Sequence, residues 1–203
     1  MAYTKRRFLR DGFCVAPRSE VEIRNVAEQV RKISTHADIK LFNVIEFLEC
    51  KMPQMYEGFR YEIVEPKELP DREAEMNPSE FCIRIQEPIY LKAMEHDGRS
   101  RFTIAHELGH FFLHRHQSLA FGRRSENGDI SPCRHSEWQA DVFARNLLAP
   151  WSMTRNMTAK AIEVLFEVSH EVAAIIAGEN MCRRGKAQTK LATGPMLPGF
   201  EGL

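Results

Sequence analysis

Residues 106–110 read His-Glu-Leu-Gly-His, and no other stretch constrains the chain as much. Histidines four apart lie ~40° apart around a helix and ~6 Å along it, so both imidazoles can close on one ion. The glutamate between them then stands beside the open side of that ion. Zinc held this way keeps a position for water, lowers the pKa of that water to roughly 7, and leaves a carboxylate to take the proton as a carbonyl is attacked. With 8 histidines in 203 residues, chance supplies the pattern roughly 0.03 times. The flanks fit a helix with one core side, because Ile104, Ala105, Leu108, Phe111 and Phe112 fall away from His106 and His110, with Glu107 at the margin.

Two histidines leave a catalytic zinc one protein ligand short. Two readings of the third are open. His116 has the spacing of a longer histidine motif, but that motif needs glycine at 113 and the chain has Leu113, a good helix former. In Glu137-Trp-Gln-Ala-Asp141, by contrast, two acids share one helical face beside Ala140, Phe143, Ala144 and Leu147. Glu137 can ligate there, while Asp141 accepts a hydrogen bond from a ligand imidazole and sets its tautomer. The plainer alternative is two solvated acids in a first helical turn, where the dipole favours them. His114, one turn past His110, reads as a pocket wall or a neighbour of the ligands, with a surface histidine as the competing reading. His114 and Tyr90 are the two candidates for stabilising an oxyanion.

Helical spacing also links Ile23, Val26, Ala27, Val30 and Ile33, and again Leu41, Val44, Ile45 and Leu48. From Gly58 to about Tyr90 the period becomes two, punctuated by Pro66, Pro70, Pro78 and Pro88, which predicts short strands joined by turns. Helices are expected again over 99–116, 135–148, 158–167 and 170–181. The sum is an α+β domain with a small mixed or antiparallel sheet and five to six helices. A basic arm is expected over 1–18, one domain over 19–182, and a flexible tail rich in glycine and proline over 183–203.

Charge excludes some functions. The 28 basic and 28 acidic residues cancel, so no basic domain announces nucleic acid, and Lys5, Arg6, Arg7 and Arg10 read as a solvated terminus. No apolar run reaches the roughly 18 residues of a membrane span, and the start lacks the apolar stretch of a signal peptide. Five cysteines without a Cys-x-x-Cys argue against a disulfide framework and a thiolate zinc site, and fit a reducing cytoplasm.

Arg101-Phe-Thr-Ile-Ala-His-Glu-Leu-Gly-His110, with His114 beyond it and Glu137-Trp-Gln-Ala-Asp-Val-Phe-Ala-Arg-Asn-Leu-Leu-Ala-Pro150 downstream, resembles the ImmA/IrrE family of metallopeptidases. The run Leu165-Phe-Glu-Val-Ser169 is similar to a helical segment that often follows there, and the likeness spans about residues 20–181. The resemblance implies a zincin-like fold of the gluzincin type and a Zn2+ cofactor. It places the ligands on His106, His110 and Glu137, the catalytic glutamate on Glu107, and the acid of Glu-x-x-x-Asp on Asp141. It also implies cleavage of a protein substrate, typically a helix-turn-helix repressor or antitoxin encoded nearby. No helix-turn-helix domain is visible before the motif, so a stand-alone domain is expected. The alternative is a zinc-containing module that sequesters a regulator or toxin without cutting it, although a purely structural site has no use for Glu107.

Overall fold

Ser19 caps the first helix, α1 (Glu20–Ile33). Its hydroxyl accepts the Glu22 N–H at 3.3 Å while its own N–H donates to Glu22 Oε2 at 2.7 Å, which closes two donors the helix cannot satisfy itself. The computed structural model describes residues 12–34, 40–115 and 131–192. A second helical run, α2, joins Val44–Glu46, a π-helical stretch Phe47–Lys51 and Met52–Met55. Strands β1 (Arg60–Val64), β2 (Ala74–Asn77) and β3 (Cys82–Gln86) follow, then helices α3 (Glu87–Met94), α4 (Gly98–His114), α5 (Ser136–Leu148), α6 (Trp151–Thr154), α7 (Ala159–Phe166) and α8 (His170–Ala192).

The sheet has the order β1-β3-β2, with β3 parallel to β1 and antiparallel to β2. Register separates its faces. Tyr61 and Ile63 pair with Ile83 and Ile85, and so do Met76 and Ala74, which makes one side apolar. On the other side Arg84 stands between Glu62 and Glu75, at 3.6 and 3.2 Å, and reaches Glu68 at 3.5 Å. Ile83 and Ile85 on the central strand are fully buried, whereas Ile63 on the edge strand stays partly exposed.

The α+β class and the mixed sheet match the sequence. The described residues hold two helices beyond those expected, α3 and α6. Pro88, which reads as turn punctuation, sits in the first turn of α3, where its missing N–H costs nothing. Helix α8 runs past Met181 to Ala192, so the start of the expected tail is helical, while 193–203 lie outside the described residues. Residues 1–11 lie outside the description, but the next segment is tied down: Val15 N–H donates to Arg134 O at 2.8 Å, Arg18 N–H to Cys133 O at 2.9 Å, and Phe13 N–H to Ser136 Oγ at 2.9 Å. No helix among the described residues is long and apolar enough to cross a membrane.

Two buried guanidinium groups and one glycine set the helices that matter. Arg31 on α1 donates to Leu147 O at 2.7 Å and Leu148 O at 3.4 Å, taking carbonyls at the end of α5 where a cation also suits the dipole. Arg101, 1% exposed near the start of α4, donates to Phe42 O and Phe166 O at 2.9 Å each and to Glu167 O. Further along α4, a Cβ on Gly109 would stand 3.0 Å from Ala140 Cα, 3.1 Å from Ala140 O and 3.2 Å from Phe143 Cδ1, so α4 and α5 touch almost backbone to backbone.

This contact makes a paired prediction on metal-free protein. Alanine in place of a helical glycine gains about 1 kcal/mol, and Gly178 on α8 has nothing within 4 Å of a built Cβ, so Gly178→Ala should collect that gain. Gly109→Ala gains the same propensity but forces the helices apart at about 1–3 kcal/mol, for a net loss of up to about 2 kcal/mol. Urea midpoints at unchanged m value read both. Equal stabilisation by the two substitutions would show that α4 and α5 are not in tight contact.

Candidate metal centre

Helix α4 presents His106 and His110 one turn apart, and α5 presents Glu137 and Asp141 at the same spacing. The Gly109–Ala140 contact brings the two pairs together. His106 Nε2 lies 3.0 Å from His110 Nε2 and 3.2 Å from Glu137 Oε2, and His110 Nε2 lies 3.4 Å from Glu137 Oε1. One donor atom from each of these residues falls within 4.8 Å of the other two. A tetrahedral ion with bonds of about 2.0–2.1 Å would separate its ligands by roughly 3.3 Å, close to these spacings. Two imidazole nitrogens with one carboxylate oxygen are also a donor set that zinc accepts. The residues present therefore fit such an ion.

Asp141 Oδ1 stands 2.8 Å from His106 Nδ1, the nitrogen turned away from the convergence point. Burial pulls the His106 imidazole down, but its hydrogen bonds to Asp141 and Glu137 outweigh this and hold it up at about 10 in the metal-free site. Burial pushes Glu137 up, and the imidazoles of His106 and His110 beside it carry it well below the usual carboxylate range. Glu107, on the same helix between the two histidines, is only 8% exposed, more enclosed than its marginal place on the helical wheel predicts.

The remaining expectations divide. His114 is beside the site: its Nδ1 lies 3.1 Å from His110 Nδ1 and its Nε2 lies 3.0 Å from Gln139 Oε1. Burial first, then His110 nearby, push its pKa down to about 3, so the ring is neutral. With both nitrogens engaged, His114 has no donor left for an oxyanion. Tyr90 donates its hydroxyl to Glu49, which Tyr61 also approaches at 3.4 Å, and that bond with burial pushes the phenol up to about 12. Its proton is thus committed to Glu49. His116 lies outside the described residues.

Sequence reasoning passed over Gly109 and Gln139. A glycine in mid-helix and a glutamine four residues before Phe143 on a core-facing stripe were the available signals. Gln139 is fully buried, and its Nε2 donates to Cys133 O at 2.7 Å and Ala16 O at 2.9 Å.

Residues 49–177 match the family model of the IrrE N-terminal-like domain, Peptidase_M78. The match takes in every residue of the site and spans more than half of the chain, so the chain belongs to this family of peptidases, which are generally metal-dependent. Comparison with curated proteins and with solved structures finds no match.

The state of His106 gives a pH prediction with a defined sign. Its folded pKa lies above the unfolded value, so the stabilisation is complete below about pH 6.5 and is lost as pH rises toward about 10. Metal-free protein should lose roughly 1 kcal/mol per pH unit between about pH 7.5 and about pH 9.5. Asp141→Asn should flatten that fall. Zinc affinity should rise over the same interval, because the metal needs the imidazole without its proton. Chemical denaturation across pH, with and without zinc, reads all three, and a flat metal-free profile would remove the imidazolium from the site.

Proposed function

We propose that this member of the IrrE N-terminal-like family is a zinc-dependent endopeptidase in which His106, His110 and Glu137 bind the metal and Glu107 is the general base. The observation that carries the reading is the convergence of those three donor sets from two helices, with Glu107 nearly enclosed on the same turn as His106. A zinc ion bound there would acidify water and polarise the scissile carbonyl.

The chain's own residues supply the rest. Glu107 takes the proton from the attacking water and returns it to the leaving amide nitrogen. Asp141 accepts the Nδ1–H of His106, so the Nε2 lone pair of that ring is left for the metal. Strand β2 is an edge of the sheet and packs beside α4. Its side away from β3, unpaired among the described residues, suits an extended substrate that adds as a further strand. The substrate is a protein, and a helix-turn-helix repressor or antitoxin encoded nearby is the candidate that the family resemblance supports. The reaction would take place in the cytoplasm.

Glu107 and Glu137 are one residue type in two different jobs, and substitution separates them. Glu107→Gln should keep zinc and fold while slowing cleavage by roughly 10²–10⁴-fold. Glu137→Gln should lose zinc affinity and activity together, with partial recovery on added zinc. Asp141→Asn should fall between, at about a 10–100-fold loss. Zinc content and cleavage of the helix-turn-helix protein encoded next to this chain, with and without a chelator, are the measurements. If Glu137→Gln binds zinc like the parent while His116→Ala does not, the third ligand is His116. Stable co-elution with the neighbour and no chelator-sensitive cleavage would favour the sequestering module instead.

A further inference from the structure

Gln139 has an orientation that its neighbours dictate. Its Nε2 lies 2.7 Å from Cys133 O and 2.9 Å from Ala16 O, and carbonyl oxygens only accept, so this end of the amide must be the NH2. The other end, Oε1, is then an acceptor alone. It stands 3.0 Å from His114 Nε2, which must therefore carry a hydrogen. A neutral His114 has its lone pair on Nδ1, 3.1 Å from His110 Nδ1. That leaves one arrangement for the next ring: His110 carries its hydrogen on Nδ1 and donates it to His114. The Nε2 of His110, 3.0 Å from His106 Nε2 and 3.4 Å from Glu137 Oε1, then holds the lone pair of the neutral ring and faces the point where the donors converge.

We propose that His114 and Gln139 form a hydrogen-bond relay that fixes the tautomer of His110 and so holds its Nε2 lone pair toward the metal position. His114 and Gln139 are positioning residues that act through His110, and the inference rests on reading His110 as a ligand. The relay does for His110 what Asp141 does for His106, but with a neutral acceptor in place of a carboxylate. Its far end is backbone. Ala16 belongs to the segment laid along residues 131–136, and Cys133 stands in the short turn that leads into α5. The amino-terminal strap is therefore part of the support of one metal ligand, 123 residues away in sequence from the glutamine it holds.

Imidazole ¹⁵N NMR on labelled, zinc-free parent protein reads the relay directly and needs no variant. Hydrogen on Nδ1 of His110 and on Nε2 of His114 is expected, and the opposite tautomer at either ring overturns the proposal. Zinc affinity, from competition with a chromophoric chelator, gives the second readout. His114→Leu and Gln139→Met should each weaken zinc by about 10–100-fold and leave His110 as a mixture of tautomers. His114→Gln supplies a carbonyl oxygen that can accept from His110, and should recover affinity to within about threefold of the parent. If folded His114→Leu binds zinc as the parent does, or folded His114→Gln binds as weakly as His114→Leu, the relay is wrong. Failure of the underlying reading looks different: parent and His110→Ala would bind zinc alike, while the tautomers of the zinc-free parent would still decide whether the relay exists.

Discussion

Everything chemical in this fold depends on how near α4 and α5 come to one another. His106 and His110 occupy one turn of the first helix, and Glu137 and Asp141 one turn of the second. Side chains of this length meet at hydrogen-bond distance only if the backbones pass closely, and the contact at Gly109 and Ala140 permits it. A glycine in a helix interior costs about 1 kcal/mol relative to alanine. Phe112 and Phe143 stack next to the crossing, with centroids 5.6 Å apart and planes inclined by 24°, and fix the rotation of each helix about its axis. Small residues thus set the spacing and aromatic ones set the phase.

Charge is buried to keep these helices where they are. Arg31 and Arg101 lose hydration, and burial draws the pKa of Arg31 down to about 10 and that of Arg101 below its ordinary value. Both remain cations at neutral pH, and such a cation is tolerable inside only when its donors are satisfied. Besides Phe42 O and Lys40 O, the partners found for them are main-chain carbonyls at the ends of α5 and α7, groups that a helix leaves unpaired in any case. One deficit cancels another. Because Glu167 ends α7 in the left-handed region, at a φ of 49°, its carbonyl and that of Phe166 both reach Arg101.

The parts of this architecture that were legible in the sequence are those that repeat. The four-residue spacing in α4 and α5 marks both helices and both pairs of polar residues, and the alternation around Ile83 and Ile85 marks the central strand. What escaped depends on contacts between distant residues. Helix α3 is short, and its proline is equally at home in a turn or in a first helical turn. The commitment of Tyr90 to Glu49 joins residues 41 apart, and nothing in the local pattern of either announces it. Gln139 carried a signal, a polar side chain where the stripe wants an apolar one, but its meaning depends on carbonyls at Ala16 and Cys133 that only the fold brings to it.

The donors of the site are held in place by groups that lie outside it. Glu137 and Asp141 flank His106, whose protonated ring turns Nδ1–H to Asp141 and Nε2–H to Glu137 and so sets one positive charge between two carboxylates. That positive charge offsets the crowding of the two carboxylates. The helices that carry the donors are held by a core that includes Ile104, Leu108, Phe111, Phe143 and Leu147, together with the two arginine clamps, and none of these touches the metal position. In a small zinc finger the binding free energy is the folding free energy, because no core exists without the ion. Here the core and the two arginine clamps set the helices that carry His106, His110 and Glu137.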